Sequence, residues 1–123
     1  MLEIKIVTDN SKLSSLCLKC GITDTERKNV LAANDGEEVI AFTVFTMDEN
    51  SLTLERVYPQ DDIMMTDGMV RSTMHIAATR GLETAYYTED VSEATLSKLG
   101  LIKSKAEKTL DIEALFREKC CGK

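Results

Sequence analysis

The sequence predicts an α+β fold in which helices flank a mixed, mostly antiparallel central sheet. Antiparallel hairpin strands come first, and a strand–helix–strand–helix–strand order follows them. The segment Glu38–Met47 is apolar on both faces, which is typical of a strand in the middle of a sheet between helices. The length of 123 residues suits a single domain over 1–123 and leaves no room for two.

The N-terminal segment 2–6 alternates between apolar and charged residues, which predicts a half-buried first strand. A helix is predicted next. Asn10 or Ser11 is a good N-cap, and apolar residues recur at helical spacing from there to Cys20. Gly21 is a natural C-terminal stop for this helix.

Three strands are predicted in the next part of the chain. The polar segment 22–28 is ambiguous and is compatible with a short helical turn, and residues 29–33 then form a strand. The tripeptide Asn34-Asp35-Gly36 is a strong signal for a tight turn into the strand Glu38–Met47. A second polar turn leads into a strand over Ser51–Tyr58.

The alternation slips inside the last of these strands. Leu52 and Leu54 share a face, Glu55 and Arg56 are polar in succession, and the apolar pattern resumes at Val57. A β-bulge leaves this kind of one-residue phase shift, because it inserts one extra residue into the strand. A plain strand end with polar residues explains the pattern equally well.

The longest helix of the chain is predicted after a break at Pro59. It runs from Thr66 or Asp67 to Arg80, and Gly81 ends it. Residues three or four positions apart form its buried stripe, which consists of Val70, Met74, Ala77 and Ala78.

The C-terminal part of the chain is predicted to complete the sheet. A strand over Leu82–Glu89 precedes a capping box at 90–93, which starts a helix reaching Leu99. Residues 101–112 have the pattern of a final strand, and a short helical tail is predicted over 112–119.

Charge and hydropathy exclude several classes of partner. The chain has 15 Lys and Arg against 21 Asp and Glu, a net charge of −6, and no basic stripe that would displace the counterions of a nucleic acid. The longest nearly apolar run, Val39–Phe45, is much shorter than the ~20 residues of a membrane span. We therefore expect a cytoplasmic protein that binds neither nucleic acid nor a membrane.

The four cysteines are expected to be reduced thiols. Cys17 and Cys20 have the spacing C-x-x-C, and Cys120 and Cys121 are neighbours in sequence. Two adjacent cysteines rarely reach one metal ion, and the first pair lies at the end of a predicted helix rather than at its N-terminus, where the dipole would activate a thiol. No metal is expected, and a four-cysteine metal site or a redox pair is the alternative.

Three segments of the sequence resemble motifs of one superfamily. They are the strand Leu54–Pro59, the helix end Ala77–Gly81 and the segment Leu96–Leu101. The GNAT N-acetyltransferase superfamily has a bulged strand ending V-x-P, a helix ending A-x-x-x-G, and Y-x-K-x-G-F at these places. The resemblance runs from Val39 to Ile102 and implies a GNAT-like fold.

The resemblance also implies a reaction. GNAT enzymes move an acetyl group from acetyl-CoA to a primary amine, which attacks the thioester directly while both substrates are bound. Two of their strands splay apart and accept the pantetheine arm, and the bulged strand offers a backbone N–H to the thioester oxygen. A helix N-terminus receives the pyrophosphate. For this chain, the resemblance implies acetyl-CoA as co-substrate and a small-molecule amine as acceptor.

The resemblance assigns the catalytic residues as follows. Glu55 corresponds to a Glu that often acts as general base on the bulged strand. The tyrosine that often protonates the leaving thiolate would fall at Leu96, so Tyr87, on the neighbouring strand beside Tyr86, is the substitute. The backbone of Val57 and Tyr58 would hold the thioester.

The pyrophosphate would lie on the segment that aligns with the superfamily motif R/Q-x-x-G-x-G/A. The alignment places residues 61–66 at this motif, with Gly68 as a displaced opening. Cofactor contacts are therefore assigned to Ile63, Met64, Met65, Thr66, Asp67 and Gly68. Asp61 stands where the motif has a cation or an amide, and Met64 and Thr66 stand where it has small residues. These departures favour an alternative function, a non-catalytic GNAT-like binding or regulatory module that acts as a homodimer.

Overall fold

The computed structural model describes residues 2–59 and 61–113. Its strands are β1 (Leu2–Ile6), β2 (Asn29–Asp35), β3 (Glu38–Met47), β4 (Ser51–Tyr58), β5 (Thr84–Tyr87), β6 (Ile102–Ser104) and β7 (Thr109–Leu110). Its helices are α1 (Asn10–Lys19), α2 (Ile63–Thr79) and α3 (Glu93–Lys98). None of the helices in the described part of the chain has the length and hydropathy to cross a membrane.

The strands form one sheet in the order β1-β2-β3-β4-β5-β7-β6. The pair β4–β5 is parallel, and every other pair in this order is antiparallel. Helix α2 provides the crossover between the two parallel strands, as a parallel connection requires. The predicted α+β class with a mixed, mostly antiparallel sheet is confirmed.

Helices cover both faces of the sheet, as the double-sided pattern of β3 predicts. On one face, Leu16 and Cys17 of α1 form a buried cluster with residues of the following loop and of the sheet, namely Ile22, Val30, Ala32, Phe42 and Val44. On the other face, Met69 and Ala77 of α2 pack against residues of the sheet, namely Leu31, Ala33, Ala41, Phe45 and Leu52. Phe42 and Phe45, three positions apart on β3, belong to opposite faces, and both are fully buried.

A third cluster lies where α2 and α3 meet the strands β4 and β5. Its members are Leu54, Val57, Val70, Met74, Ala85, Tyr87, Val91, Leu96, Leu101 and Leu110. Three of the four residues predicted for the buried stripe of α2, Val70, Met74 and Ala77, are buried, and Ala78 is half-buried. This packing fixes the positions of β4 and of the first turns of α2, which border the candidate site.

The predicted bulge in β4 is confirmed. Val44 of β3 pairs with Arg56, and the next residue, Phe45, pairs with Leu54. Glu55 is therefore the extra residue in β4. A bulge increases local twist and bends the strand that contains it. The end of β4 consequently turns away from the direction of its first half.

Helix α2 begins at Ile63, earlier than the predicted start at Thr66 or Asp67. The reason is Asp62, whose side chain caps the helix by accepting a hydrogen bond from the backbone N–H of Met65. The segment assigned to the pyrophosphate therefore lies in the first turns of a helix.

The predicted final strand over 101–112 is wrong as a continuous element. The chain forms the hairpin of β6 and β7 instead, with a turn between them in which Lys108 N donates to Lys105 O at 3.3 Å. Lys108 adopts a φ of 55° in this turn. The predicted helical tail lies outside the described residues, except for positions 112 and 113, which form a turn.

Two turns also differ from their predicted positions. Strand β2 extends to Asp35, past its predicted end at Ala33, and Asp35 pairs with Glu38. The two-residue loop is therefore Gly36-Glu37, and Gly36 supplies the positive φ of 66° that this loop needs. The segment 22–28 forms a loop without a helix.

The remaining boundaries differ by one or two residues. The strand predicted over Leu82–Glu89 is shorter and runs from Thr84 to Tyr87. In the predicted capping segment, Ser92 is the N-cap of α3 and accepts from the N–H of Thr95. The terminal residues of a strand or helix bond to partners elsewhere in the fold, which a sequence does not show. Predicted ends therefore differ from observed ends by a residue or two.

Candidate functional site

A cleft opens where β4 and β5 part. Their parallel pairing runs from Ser51 opposite Thr84 to Leu54 opposite Tyr87. Thr88 N then donates to Leu54 O at 3.1 Å, and after this the chain turns towards α3. Strand β4 continues to Tyr58, so its last residues have no described strand beside them on the β5 side.

This β4–β5 cleft has a volume of about 480 Å³. The residues that line it come from the end of α1, from β4, from the β4–α2 loop and from the β5–α3 loop. They are Cys20, Arg56, Val57, Tyr58, Pro59, Asp61 and Asp90. A strand edge without a partner offers backbone N–H and C=O groups to an extended ligand. The cleft is therefore the place where a pantetheine-like chain could lie along β4.

Arg56 joins three sides of the cleft. Its Nη1 donates to Asp90 Oδ2 at 2.7 Å and to Glu55 O at 2.9 Å, and its Nε donates to Cys20 O at 3.2 Å. The guanidinium thus connects the end of α1, the bulge and the loop between β5 and α3. Sequence reasoning gave Arg56 no role; the only signal was its position directly after Glu55, where the apolar alternation of the strand slips.

Val57 and Tyr58 point to opposite sides of β4. Val57 is 5% exposed and belongs to the cluster under α2 and α3. The ring of Tyr58 stacks on Phe42 with 5.2 Å between centroids, and the Nζ of Lys19 lies 4.8 Å from the Tyr58 centroid. Both residues line the β4–β5 cleft, and both side chains are held by packing on opposite faces of the sheet.

Glu55 is paired with a cation. Its Oε1 accepts a hydrogen bond from Lys28 Nζ at 2.7 Å, and each side chain is 18% exposed. Lys28 comes from the loop before β2, 27 positions earlier, and sequence reasoning did not find it. The predicted base thus lies at the bulge with Oε1 bound to Lys28, and no described residue bonds to Oε2. Glu55 is adjacent in sequence to Arg56 but is not itself among the residues that line the β4–β5 cleft.

The N-terminus of α2 is capped by its own chain. Asp62 Oδ1 accepts from Met65 N at 3.0 Å, which satisfies one of the free N–H groups that could bind an anion. Asp61 also lines the cleft and is exposed. A phosphate at this helix end would meet two carboxylates, so the pyrophosphate of acetyl-CoA does not fit here.

The other predicted cofactor residues are distributed around the first turns of α2. Thr66 is buried, and its hydroxyl donates to Pro59 O at 3.0 Å. Met64 is 83% exposed, and Asp67 forms an ion pair with Arg71. A Cβ placed on Gly68 would contact nothing within 4 Å, so no neighbouring atom lies close enough to require a glycine at this position.

Tyr87 is buried on the side of the sheet that α2 and α3 cover. It is 2% exposed, and its hydroxyl donates to Glu93 Oε2 at 2.7 Å. Burial, together with the hydrogen bond and the charge of Glu93, raises the pKa of Tyr87 to about 12. Tyr87 is not among the residues that line the β4–β5 cleft.

The described cysteines are free thiols. Cys17 is fully buried, and Cys20 Sγ donates to Cys17 O at 3.3 Å. Burial raises the pKa of both thiols above the ordinary value. Within 2–59 and 61–113, no three or more His, Cys, Asp or Glu side chains are grouped so that they could hold a metal ion. Cys120 and Cys121 lie outside the described residues.

Comparison with known proteins identifies the architecture. No protein-family model matches the sequence, and no curated protein is significantly similar to it. A probable acetyltransferase from Staphylococcus epidermidis ATCC 12228 superposes with a TM-score of 0.59 and 13% identity, over 81% of this chain and 83% of that one. The fold is GNAT-like.

A second solved structure gives the same result. It is a point mutant of the AtaT toxin bound to the C-terminus of the antitoxin AtaR, with a TM-score of 0.59 and 17% identity. The match covers 94% of this chain and 97% of the toxin. The resemblance to the GNAT superfamily that the sequence motifs predict is confirmed at the level of the fold, which such low identities support and no more.

Proposed function

We propose that this GNAT-like protein moves an acetyl group from acetyl-CoA to the primary amine of a small molecule. The observation that carries the proposal is the bulge at Glu55, placed where β4 leaves β5 and the β4–β5 cleft opens. The bulge and the parted strands are the two features that this chemistry needs from the fold. Because the thioester is already activated, the protein has only to align it with the amine and to supply a base.

The donor is held by its pantetheine arm. The arm lies along the free edge of β4, and a backbone N–H of the Val57–Tyr58 segment stabilises the negative charge that develops on the thioester oxygen. The pyrophosphate receives no help from α2, because Asp62 caps that helix and Asp61 adds a like charge. Acetyl-CoA therefore binds weakly compared with a donor held at both ends.

The reaction is a direct attack in a ternary complex. The acceptor nitrogen forms a bond to the thioester carbonyl carbon, and the carbon–sulfur bond then breaks. Glu55 Oε2 takes the proton of the amine, directly or through a water molecule, while Lys28 holds Oε1. The leaving thiolate takes a proton from water, and Glu55 gives the amine proton to the hydroxide so formed, which restores the carboxylate. Tyr87 has no part in the proposal because its hydroxyl is buried and bound to Glu93.

The test is the release of free coenzyme A thiol from acetyl-CoA in the presence of a panel of small primary amines. We expect amine-dependent release that Glu55→Gln lowers by about 100-fold or more, which is the usual size of a general-base contribution. Glu49→Gln, an exposed carboxylate in the β3–β4 turn, is the matched control and keeps the rate. Full activity of Glu55→Gln would remove Glu55 from the reaction.

A second candidate is a non-catalytic GNAT-like binding or regulatory module. It is favoured by two contacts within the chain: Lys28 is paired with the candidate base, and Asp62 caps the N-terminus of α2. The AtaT structure contains a bound antitoxin segment, so a protein partner is a candidate ligand for this fold. The two candidates differ in whether acetyl-CoA binds.

Both candidates keep the expected cytoplasmic location and need no metal. The reduced thiols Cys17 and Cys20 are typical of a reducing compartment.

A further inference from the structure

Strand β1 is the outer strand at one end of the sheet. It pairs with β2 from Leu2 opposite Asp35 to Ile6 opposite Leu31, and no described strand pairs with its other edge. An edge strand presents a row of N–H and C=O groups that can pair with a strand from another chain. The outer edge of β1 is therefore available for sheet extension.

The side chains of β1 separate into an apolar and a charged row. Ile4 and Ile6 lie opposite Ala33 and Leu31 on the face that α2 covers, yet each is 43% exposed. A groove of about 470 Å³ adjoins them, lined by Ile4, Leu31, Arg71, Ser72 and His75. Glu3 and Lys5 lie on the other face, where their side chains are about two-thirds exposed and form an ion pair within the strand, with Lys5 Nζ 3.4 Å from Glu3 Oε1. Pairing with a second copy would exchange this pair for pairs between strands.

We propose that a second copy of this chain pairs with β1 in an antiparallel, two-fold symmetric arrangement centred on Ile4. This register places Ile4 opposite Ile4 of the second copy, so the apolar rows form one continuous surface. It also places Glu3 opposite Lys5 of the second copy and Lys5 opposite Glu3 of the second copy, which forms two cross-strand ion pairs. The two sheets then become one.

The charges select this register among the symmetric alternatives. Centring the pair on Glu3 or on Lys5 places like charges directly opposite each other, which is destabilising. A shift by one residue moves the isoleucines of one copy to the face that carries the charges of the other. Parallel pairing in register opposes Glu3 to Glu3. The strand sequence is thus complementary to itself in one antiparallel register.

The proposed interface is independent of the proposed reaction. Strand β1 is separated from β4 by β2 and β3, so the dimer leaves both β4–β5 clefts open. Variants of Glu3 or Lys5 consequently report on association without touching the site.

The test is sedimentation velocity of the full-length protein over a wide concentration range. We expect a dimer for the unchanged chain. Lys5→Glu and Glu3→Lys each make both cross-strand pairs repulsive, so each single variant has a dissociation constant raised by roughly tenfold or more. An equimolar mixture of the two variants restores all opposite-charge pairs and dimerises again, as does the double variant. Lys98→Glu, at an exposed position of α3 away from β1, is the control and stays dimeric.

Circular dichroism shows whether each variant is folded. A monomer at every concentration for the unchanged chain would overturn the proposal. So would a dimer that neither single variant weakens, or a mixture of the folded single variants that stays monomeric. Association of β1 with an added strand-forming peptide in place of a second copy would also overturn it, because the occupant would then be a different chain.

Discussion

Lys28 Nζ lies 2.7 Å from Glu55 Oε1, and both side chains are 18% exposed. The loop before β2 thus delivers a cation to the extra residue of the bulged strand. Removing one partner of such a pair leaves a charge that is largely removed from water, which costs more than the loss of an exposed ion pair. The pair connects the loop to β4 and fixes the candidate base.

Replacement of Lys28 tests this pairing. Lys28→Met is expected to lower the free energy of unfolding by about 2 kcal/mol, because the Glu55 carboxylate loses its charged donor. The double variant with Glu55→Gln loses less than the sum of the single losses. Urea denaturation measures the cycle, and Lys12→Met, at an exposed position of α1, is the control. Strictly additive losses would show that the two side chains do not interact.

Asp62 is expected to weaken the binding of acetyl-CoA through its charge. Asp62→Asn keeps an oxygen for the N–H of Met65 and removes the charge, so the helix stays capped. The dissociation constant of acetyl-CoA is expected to fall about fivefold, since a like charge a few ångströms from a phosphate costs about 1 kcal/mol in water-like surroundings. Titration calorimetry measures it, with Glu49→Gln as the control. An unchanged constant would show that the charge of Asp62 is not what keeps the pyrophosphate from this helix end.

Arg56 is expected to stabilise the fold mainly through its hydrogen bonds to two backbone carbonyl groups. Arg56→Met removes the donor for Glu55 O and Cys20 O and is expected to cost about 2 kcal/mol of unfolding free energy. Asp90→Asn is expected to cost less than about 1 kcal/mol, because the Asp90 side chain is 59% exposed. Urea denaturation compares them. Equal losses would mean that the ion pair with Asp90, and not the two carbonyls, is the important contact.

Tyr87 gives the protein a sensitivity to high pH. The pKa of Tyr87 is raised from 10 to about 12, so between these pH values the unfolded chain releases a proton that the folded chain retains. Stability therefore falls as pH rises through this window, by an amount on the order of 2 kcal/mol. Tyr87→Phe should show a smaller fall, whereas Tyr86→Phe, at a residue 39% exposed, should behave like the unchanged chain. Parallel pH profiles for all three would exclude the buried hydroxyl as the cause.

The parts of the fold that periodicity determines could be predicted. The double-sided burial of β3 and the phase slip at Glu55 are local patterns, and the structure contains both. The start of α2 is predicted too late, because Asp62 and Thr66 are both good N-caps by residue type. The structure shows that Asp62 accepts the N–H of Met65 and therefore sets the start of the helix. The hairpin of β6 and β7 was missed because its polar turn lies inside a pattern that also suits one strand.

The candidate site was predictable only where it lies on one segment. The motif resemblance gave Glu55, Val57 and Tyr58 their positions around the bulge. The partners of these residues come from elsewhere in the chain: Lys28 is 27 positions from Glu55, and Asp90 is 34 positions from Arg56. Such pairs depend on the arrangement of loops in space, which no sequence period records.

The binding of acetyl-CoA tests the central claim most directly. The thermal unfolding midpoint of the unchanged chain is measured with millimolar acetyl-CoA and, separately, with millimolar ADP. A ligand present at 100 times its dissociation constant adds about 2.7 kcal/mol of stability. We predict that acetyl-CoA raises the midpoint and that ADP, which has the pyrophosphate but lacks the thioester arm, leaves it unchanged. An unchanged midpoint with acetyl-CoA would contradict the acetyltransferase proposal and leave the non-catalytic module.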